Sequence, residues 1–284
     1  MRAVATLLVC VATVLAQTSR TDGHDGSIIG SSLVFRPLAA AIYEPRMGFQ
    51  FQPTTERLRL DIGYSADVWR SALERSTGES SSEAVIAAGV DGFTYTRLRS
   101  EANLKFPVET VDYMFGVNAS YRKQYDSERA VAVRVRLSHI SAHLADGYAD
   151  SSGMLLARPF VYSREFCDII AAYEWLAPNV RVYGGGTFLF TVKELPKPVG
   201  RLIPQAGIEW YHAIVLPVFA AYDIRLVRVG DATVPSHAVQ LGILLGSRTP
   251  SLALSGYYYS GYSIHGMFFD RRDRYWALGV QVLF

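Results

Sequence analysis

Three side chains in the stretch RVRLSHISAHLADGY, residues 134 to 148, have the types and spacing to do chemistry: His139, Ser141 and His143. They continue, at intervals of two, an alternation begun by Val131, Val133, Val135 and Leu137. Residues two apart on a β-strand point the same way with α-carbons about 6.6–6.8 Å apart. An imidazole at 139 can therefore reach a hydroxyl at 141 and act as its base, provided a third polar group orients the ring. Glu165, which shares a face with Cys167, Ile169 and Tyr173 on the next strand, is the candidate orienter. These residues suggest a serine acyl hydrolase with Ser141 as nucleophile, His139 as base and Glu165 behind the ring. Plainer readings stand beside it. Polar side chains can mark where a lipid-facing strand leaves hydrocarbon for headgroups, or a bulge can turn them inward. His139 and His143 could also bind a metal, but they lack a nearby third ligand.

The elements that must position these residues are strands. In LRLDIGYSADV (58–68), Leu58, Leu60, Ile62, Tyr64 and Ala66 share one face and Arg59, Asp61, Gly63 and Ser65 the other. VDYMFGVNASY, NVRVYGGGTFLF and PVFAAYDIRLV alternate in the same way. The period is two rather than 3.6. Segments of about ten residues or more recur to the end of the chain, separated by turn signals such as YDSER, LAPN and SRTP, and their length matches strands that cross a bilayer. The pattern predicts about twelve strands, starting near 46, 57, 84, 109, 129, 164, 179, 202, 214, 236, 250 and 274. Short connections (125–129, 176–179, 248–250) alternate with longer ones (143–163, 192–201, 228–236, 261–273), as periplasmic turns alternate with outer loops in bacterial barrels. SALERSTGESSSE (71–83) is long for a connection on the short side.

One face of the strands carries charges that pair in order: Asp112 before Arg134 and Arg136, then Asp168, Glu174, Arg181 and Glu209, then Asp223 with Arg225. Neighbouring opposite charges on one sheet face attract, so this face reads as a lumen filled by an ionic lattice. Gly184, Gly185 and Gly186 sit inside a strand, where a bend or close packing is expected rather than a phosphate loop.

Composition bounds the rest. With 50% hydrophobic and 19% charged residues, and 17 tyrosines, the chain is too apolar to be disordered. A net charge of +2 argues against a nucleic-acid partner. MRAVATLLVCVATVLAQ reads as a secretory signal peptide cut after Ala16, leaving Cys167 as the sole cysteine and no internal disulfide. No later apolar run of about 18 residues would form a membrane helix.

The segment HISAHLADG resembles the H-x-S-S-H-L-G-D-E pattern of the bacterial domain of unknown function 1207 family. VFRPLAAAIYEPRMGFQF (34–51) is similar to that family's opening segment, and YYSGYSIHGMFFDRRDRYWALGVQVLF to its closing one. Ala142, Ala145 and Gly147 depart from the pattern. The resemblance implies an outer-membrane barrel and no particular activity. His139-x-Ser141 also has the spacing of the H-x-S-N-G motif of outer-membrane phospholipase A and of lipid A deacylase, where the pair faces the outer-leaflet interface. Here Ala142 stands at the motif's Asn position. Likeness to the phospholipase implies calcium, for which Asp146 or Asp150 could offer oxygens. RYWALGVQVLF, ending on an aromatic residue, resembles the signal by which outer-membrane insertion machinery recognises its clients.

The expectation is thus an all-β, antiparallel up-and-down transmembrane β-barrel of about 12 strands over 45–284. A signal peptide (1–16) and a periplasmic segment (17–44) precede it. Its location is the outer membrane of a double-enveloped bacterium, and its partners are membrane lipid and lipopolysaccharide. DRRDR (270–274) reads as a solvated loop or a lipopolysaccharide contact. The functional readings are a closed, charged barrel of unassigned role, an envelope-lipid hydrolase, or a small-solute channel. No resident cofactor is expected outside the phospholipase reading.

Overall fold

A computed structural model describes residues 33–74, 83–213, 216–245 and 251–283. Twelve strands form one closed antiparallel barrel: β1 (Met47–Gln52), β2 (Arg57–Glu74), β3 (Glu83–Arg99), β4 (Val108–Gln124), β5 (Arg129–Leu144), β6 (Tyr162–Trp175), β7 (Val180–Val192), β8 (Leu202–Ala213), β9 (Pro217–Val229), β10 (Ala232–Leu245), β11 (Ser251–Tyr262) and β12 (Arg272–Leu283). Each strand pairs with its sequence neighbour, and β1 closes the circle against β12. Closure leaves no unpaired edge. The expected strand starts fall within four residues of these bounds.

Period-two patterning explains the two surfaces. Outward positions carry Ile62, Val90, Val117, Val135, Leu137, Ile169, Leu241 and Leu278, all exposed, which is the surface of a barrel that spans a bilayer. No helix of the described residues is long and apolar enough to cross a membrane. Inward positions carry Arg59, Asp61, Arg134, Arg136, Asp168, Arg181, Glu209 and Asp223, all buried. The barrel therefore has two ends. One bears the connections 125–128 and 176–179 (the turn end), and the other bears 100–107, 145–161, 193–201 and 263–271 (the loop end).

Two expectations are corrected here. Residues 33–44, assigned by the sequence to a periplasmic segment, lie inside the barrel. The chain enters at the turn end, where Leu33 and Val34 lie beside Trp175 and Asn179. It rises to Tyr43, whose hydroxyl donates to the Ile264 carbonyl at the loop end, 3.1 Å, and turns back to β1. The inward charges provide the reason. Arg134 grips Glu44 through two hydrogen bonds, 2.8 and 2.5 Å. Arg181 donates to the Arg36 carbonyl, 2.8 Å, and Glu209 accepts from the Ala39 amide, 2.6 Å. Buried ions persist only when paired and hydrogen-bonded, and this hairpin supplies partners that the strands alone lack. The proposed signal peptide and residues 17–32 lie outside the described residues, as do most of the 71–83 connection and Phe284.

The second correction concerns 228–236. Instead of a long loop, β9 and β10 pair up to Val229↔Ala232 around Gly230 and Asp231. Gly230 takes a φ of 59°, which glycine adopts without steric cost. Pro235 is accommodated within β10 opposite Leu226, on the outward side.

Candidate functional site

β4, β5 and β6 lie side by side and set the site by register. Across β5 and β6, His139 stands opposite Glu165 and Ser141 opposite Ser163. Across β4 and β5, Phe115 stands opposite His139 and Tyr113 opposite Ser141. Odd-numbered residues of β5 face outward, because Arg134, Arg136, Ser138, Ile140 and Ala142 are buried inward. No bulge interrupts β5 against either neighbour. His139, Ser141 and Glu165 therefore all project from the outer surface.

Glu165 and His139 meet: Nδ1 and Oε1 are 3.0 Å apart, with both side chains about one-third exposed. The second carboxylate oxygen, Oε2, has no hydrogen-bond partner. The His139 ring lies against Phe115, centroids 5.0 Å apart, so packing and a hydrogen bond together fix its plane. Nε2 is left for another group. Ser141 Oγ makes no hydrogen bond among the described residues, to His139 or to any other group. Ser163 and Thr191, which the sequence reading missed, complete a polar patch, since Thr191 stands opposite Glu165 on β7. The missing signal was cross-strand register, because neither residue is unusual within its own strand.

His143 does not join the pair. It packs against Tyr113, ring centroids 6.0 Å apart, and no group of three or more His, Cys, Asp or Glu that could hold a metal occurs among the described residues. Of the loop carboxylates that the phospholipase likeness named for calcium, Asp150 has one oxygen engaged within its own turn. Asp150 Oδ1 is occupied by the Ser152 hydroxyl and by the amides of Ser152 and Met154. Those bonds, the Ser152 hydroxyl's foremost, hold the Asp150 carboxyl below the usual range. Asp146 lies in the one-turn 3₁₀ helix at 146–148.

The height of the site follows from the strand. Trp175, outward at the turn end, pairs with Arg129, ten residues before His139 on β5. Ten residues at about 3.3 Å each, tilted about 40°, rise roughly 25 Å, which is the height of the apolar band of such barrels. His139 thus stands about one band-height above the level of Trp175, toward the loop end.

Ala142, at the Asn position of the resembled motif, points inward and touches the loop 263–271. A Cβ on Gly266 would come within 2.7 Å of Ala142 Cβ, so a larger side chain at 142 would displace that loop. The same loop is anchored by Asp112, which accepts the Gly266 amide, 2.6 Å, and meets His265 Nδ1, 2.8 Å. Asp112 was expected to pair with Arg134 and Arg136. Those arginines instead contact Asp168 and Glu44.

The chain shares its fold with the outer membrane phospholipase A from Escherichia coli. The TM-score is 0.60 at 13% identity, over 92% of this chain and 98% of that one. No curated protein matches by sequence. Residues 82–284 match the model of the family described as "Protein of unknown function (DUF1207)". That span carries the site and ten of the twelve strands, β3 to β12, and on this evidence the chain belongs to the DUF1207 family.

Proposed function

We propose that this protein is an outer-membrane acyl-ester hydrolase acting on phospholipid or lipopolysaccharide at the outer leaflet, with its turn end in the periplasm. The observation that carries the reading is the 3.0 Å contact between His139 Nδ1 and Glu165 Oε1, on the same outward face as Ser141. A polar trio there completes no ionic lattice. Charged groups on the lipid face of a barrel cost stability, most of all at the midplane.

In this reading, an acyl ester enters from the leaflet beside Phe115 and Tyr113. Ser141 Oγ attacks the ester carbonyl carbon while His139 Nε2 takes its proton. The Glu165 carboxylate holds the ring and stabilises the imidazolium. Collapse of the tetrahedral intermediate releases the alcohol, which receives the proton from Nε2. Water, deprotonated by the same nitrogen, then frees the fatty acid and restores Ser141. The barrel interior serves as a scaffold rather than a channel, because the 33–46 hairpin and the 263–271 loop fill it, and insertion proceeds through the C-terminal strand.

The test is release of fatty acid from phospholipid vesicles and from lipopolysaccharide by the refolded protein. Wild type should release it and Ser141→Ala should fall to background. Equal rates for the two proteins would remove the proposal.

A further inference from the structure

The loop end of the lumen holds a cavity that chemistry at Ser141 does not use. The hairpin residues Tyr43 and Glu44 line it from within, and Tyr162, Phe166, Leu189 and Phe269 form apolar walls. About 60 Å³ is open to the centre of a water molecule. On that measure one water needs about 10–15 Å³, so several waters or one small anion would fit.

Two arginines face this space without a carboxylate. Arg164 on β6 is 9% exposed and Arg225 on β9 is 5% exposed. Arg164 lies over the rings of Tyr162 and Phe269, at 4.4 and 5.6 Å, and its Nε has no partner. Arg225 lies over Tyr43 at 4.7 Å, gives one hydrogen bond to Thr187 Oγ1 at 3.3 Å, and also leaves Nε unpartnered. The carboxylates at the same cavity are committed elsewhere. Glu44 is held by Arg134 and Asp168 by Arg136. Asp223, two residues along β9 from Arg225, accepts from Tyr183 and Gln205. A guanidinium cannot shed its proton to escape burial, and a buried charge without a partner is strongly unfavourable. Two such cations on one cavity, neither in ion-pair contact with a carboxylate of the described residues, favour an anion there.

We propose that this cavity binds a small organic anion, a carboxylate or a monophosphate ester. Its oxygens take the free N–H groups of Arg164 and Arg225, and its apolar part lies against Tyr162, Phe166 and Phe269. Aromatic and aliphatic walls around a few convergent donors are the usual make-up of a small-molecule site. The exposed Arg228 at the rim favours entry of anions from the loop end. The site is separate from Ser141, which faces the opposite side of the barrel wall.

The full chain in lipid nanodiscs can be probed by ligand-observed fluorine NMR with 4-fluorophenyl phosphate, using 4-fluorobenzyl alcohol as the uncharged control. The phosphate should bind, the alcohol should not, and Arg164→Gln or Arg225→Gln should weaken binding at least tenfold. Ser141→Ala should bind like wild type, which keeps this result independent of hydrolysis. Equal binding of the alcohol, or unchanged binding in both glutamine variants, would overturn the proposal. Should either variant lose its heat-modifiable band on gels, bromide-soaked crystals of the wild type decide. An anomalous peak beside Arg164 and Arg225 is expected, and water alone at that position rejects the site.

Discussion

An imidazole held by a carboxylate on the outside of a barrel is an unusual place to spend polarity. Inward, His265 meets Asp112 and helps to anchor a loop. Outward, His139 and Glu165 anchor nothing beyond each other and the face of Phe115. Their contact orders the ring and leaves Nε2 free; in the proposed hydrolase Ser141 Oγ comes within hydrogen-bond reach of Nε2 when substrate binds. In the proposed hydrolase Glu165 acts through His139, so its removal should separate the kinetic constants. Glu165→Gln is expected to lower kcat about 10²–10⁴-fold with little change in KM, and Glu165→Asp should recover part of the loss. Initial rates of fatty-acid release over a range of lipid concentrations check this. A rise in KM alone would assign Glu165 to lipid binding. His139→Asn should match Ser141→Ala, because base and nucleophile act as one unit.

The hairpin of residues 33–46 is the element that the inward charges demand. Glu44 accepts two hydrogen bonds from Arg134 and lies 3.8 Å from Arg136, deep inside the barrel. Removing one partner of a buried pair leaves the other uncompensated, a loss of about 3–5 kcal/mol. Glu44→Ala should therefore lower the temperature at which the folded band converts to the unfolded one on gels. Glu44→Gln, which keeps an acceptor for Arg134 but not the charge, should fall between. A second prediction at this scale concerns β7. A Cβ on Gly185 would lie 1.9 Å from the Ile169 carbonyl oxygen of β6. Gly185→Ala should weaken the β6–β7 pairing and raise amide hydrogen exchange in those two strands first. Within the glycine run the close approach of backbones falls at Gly185, whereas Gly184 has room for a Cβ.

At the scale of the molecule, hairpin and loop meet inside the barrel where Tyr43 donates to Ile264. The intact protein should show no conductance in planar bilayers. Deletion of residues 33–44 should give discrete openings, provided the shortened chain still runs as a heat-modifiable barrel. Closed traces from a folded deletion variant would mean that the strand side chains alone seal the lumen. Filling also bears on the outer surface. Residues of β5 alternate between the two environments, so Arg134, Arg136 and Ala142 are packed inward while His139 and Ser141 are held outward. A rigid wall is a better platform for a catalytic constellation than a mobile loop.

The alternation of side chains by itself determined the twelve strands and their order around the barrel, and it set His139 and Ser141 in register with the apolar face of β5. Period two leaves only two faces, and an uninterrupted strand such as β5 cannot exchange them without a bulge. Three things were decided only in three dimensions. The hairpin's entry into the lumen depended on which arginines lacked partners after the strands had paired. The turn at Gly230 depended on continuous pairing of β9 with β10. The meeting of His139 with Glu165 depended on the stagger between β5 and β6, which no single strand encodes. Register between strands 26 residues apart in sequence is fixed by the closure and packing of the whole barrel, and so only the tertiary structure could bring that pair to 3.0 Å.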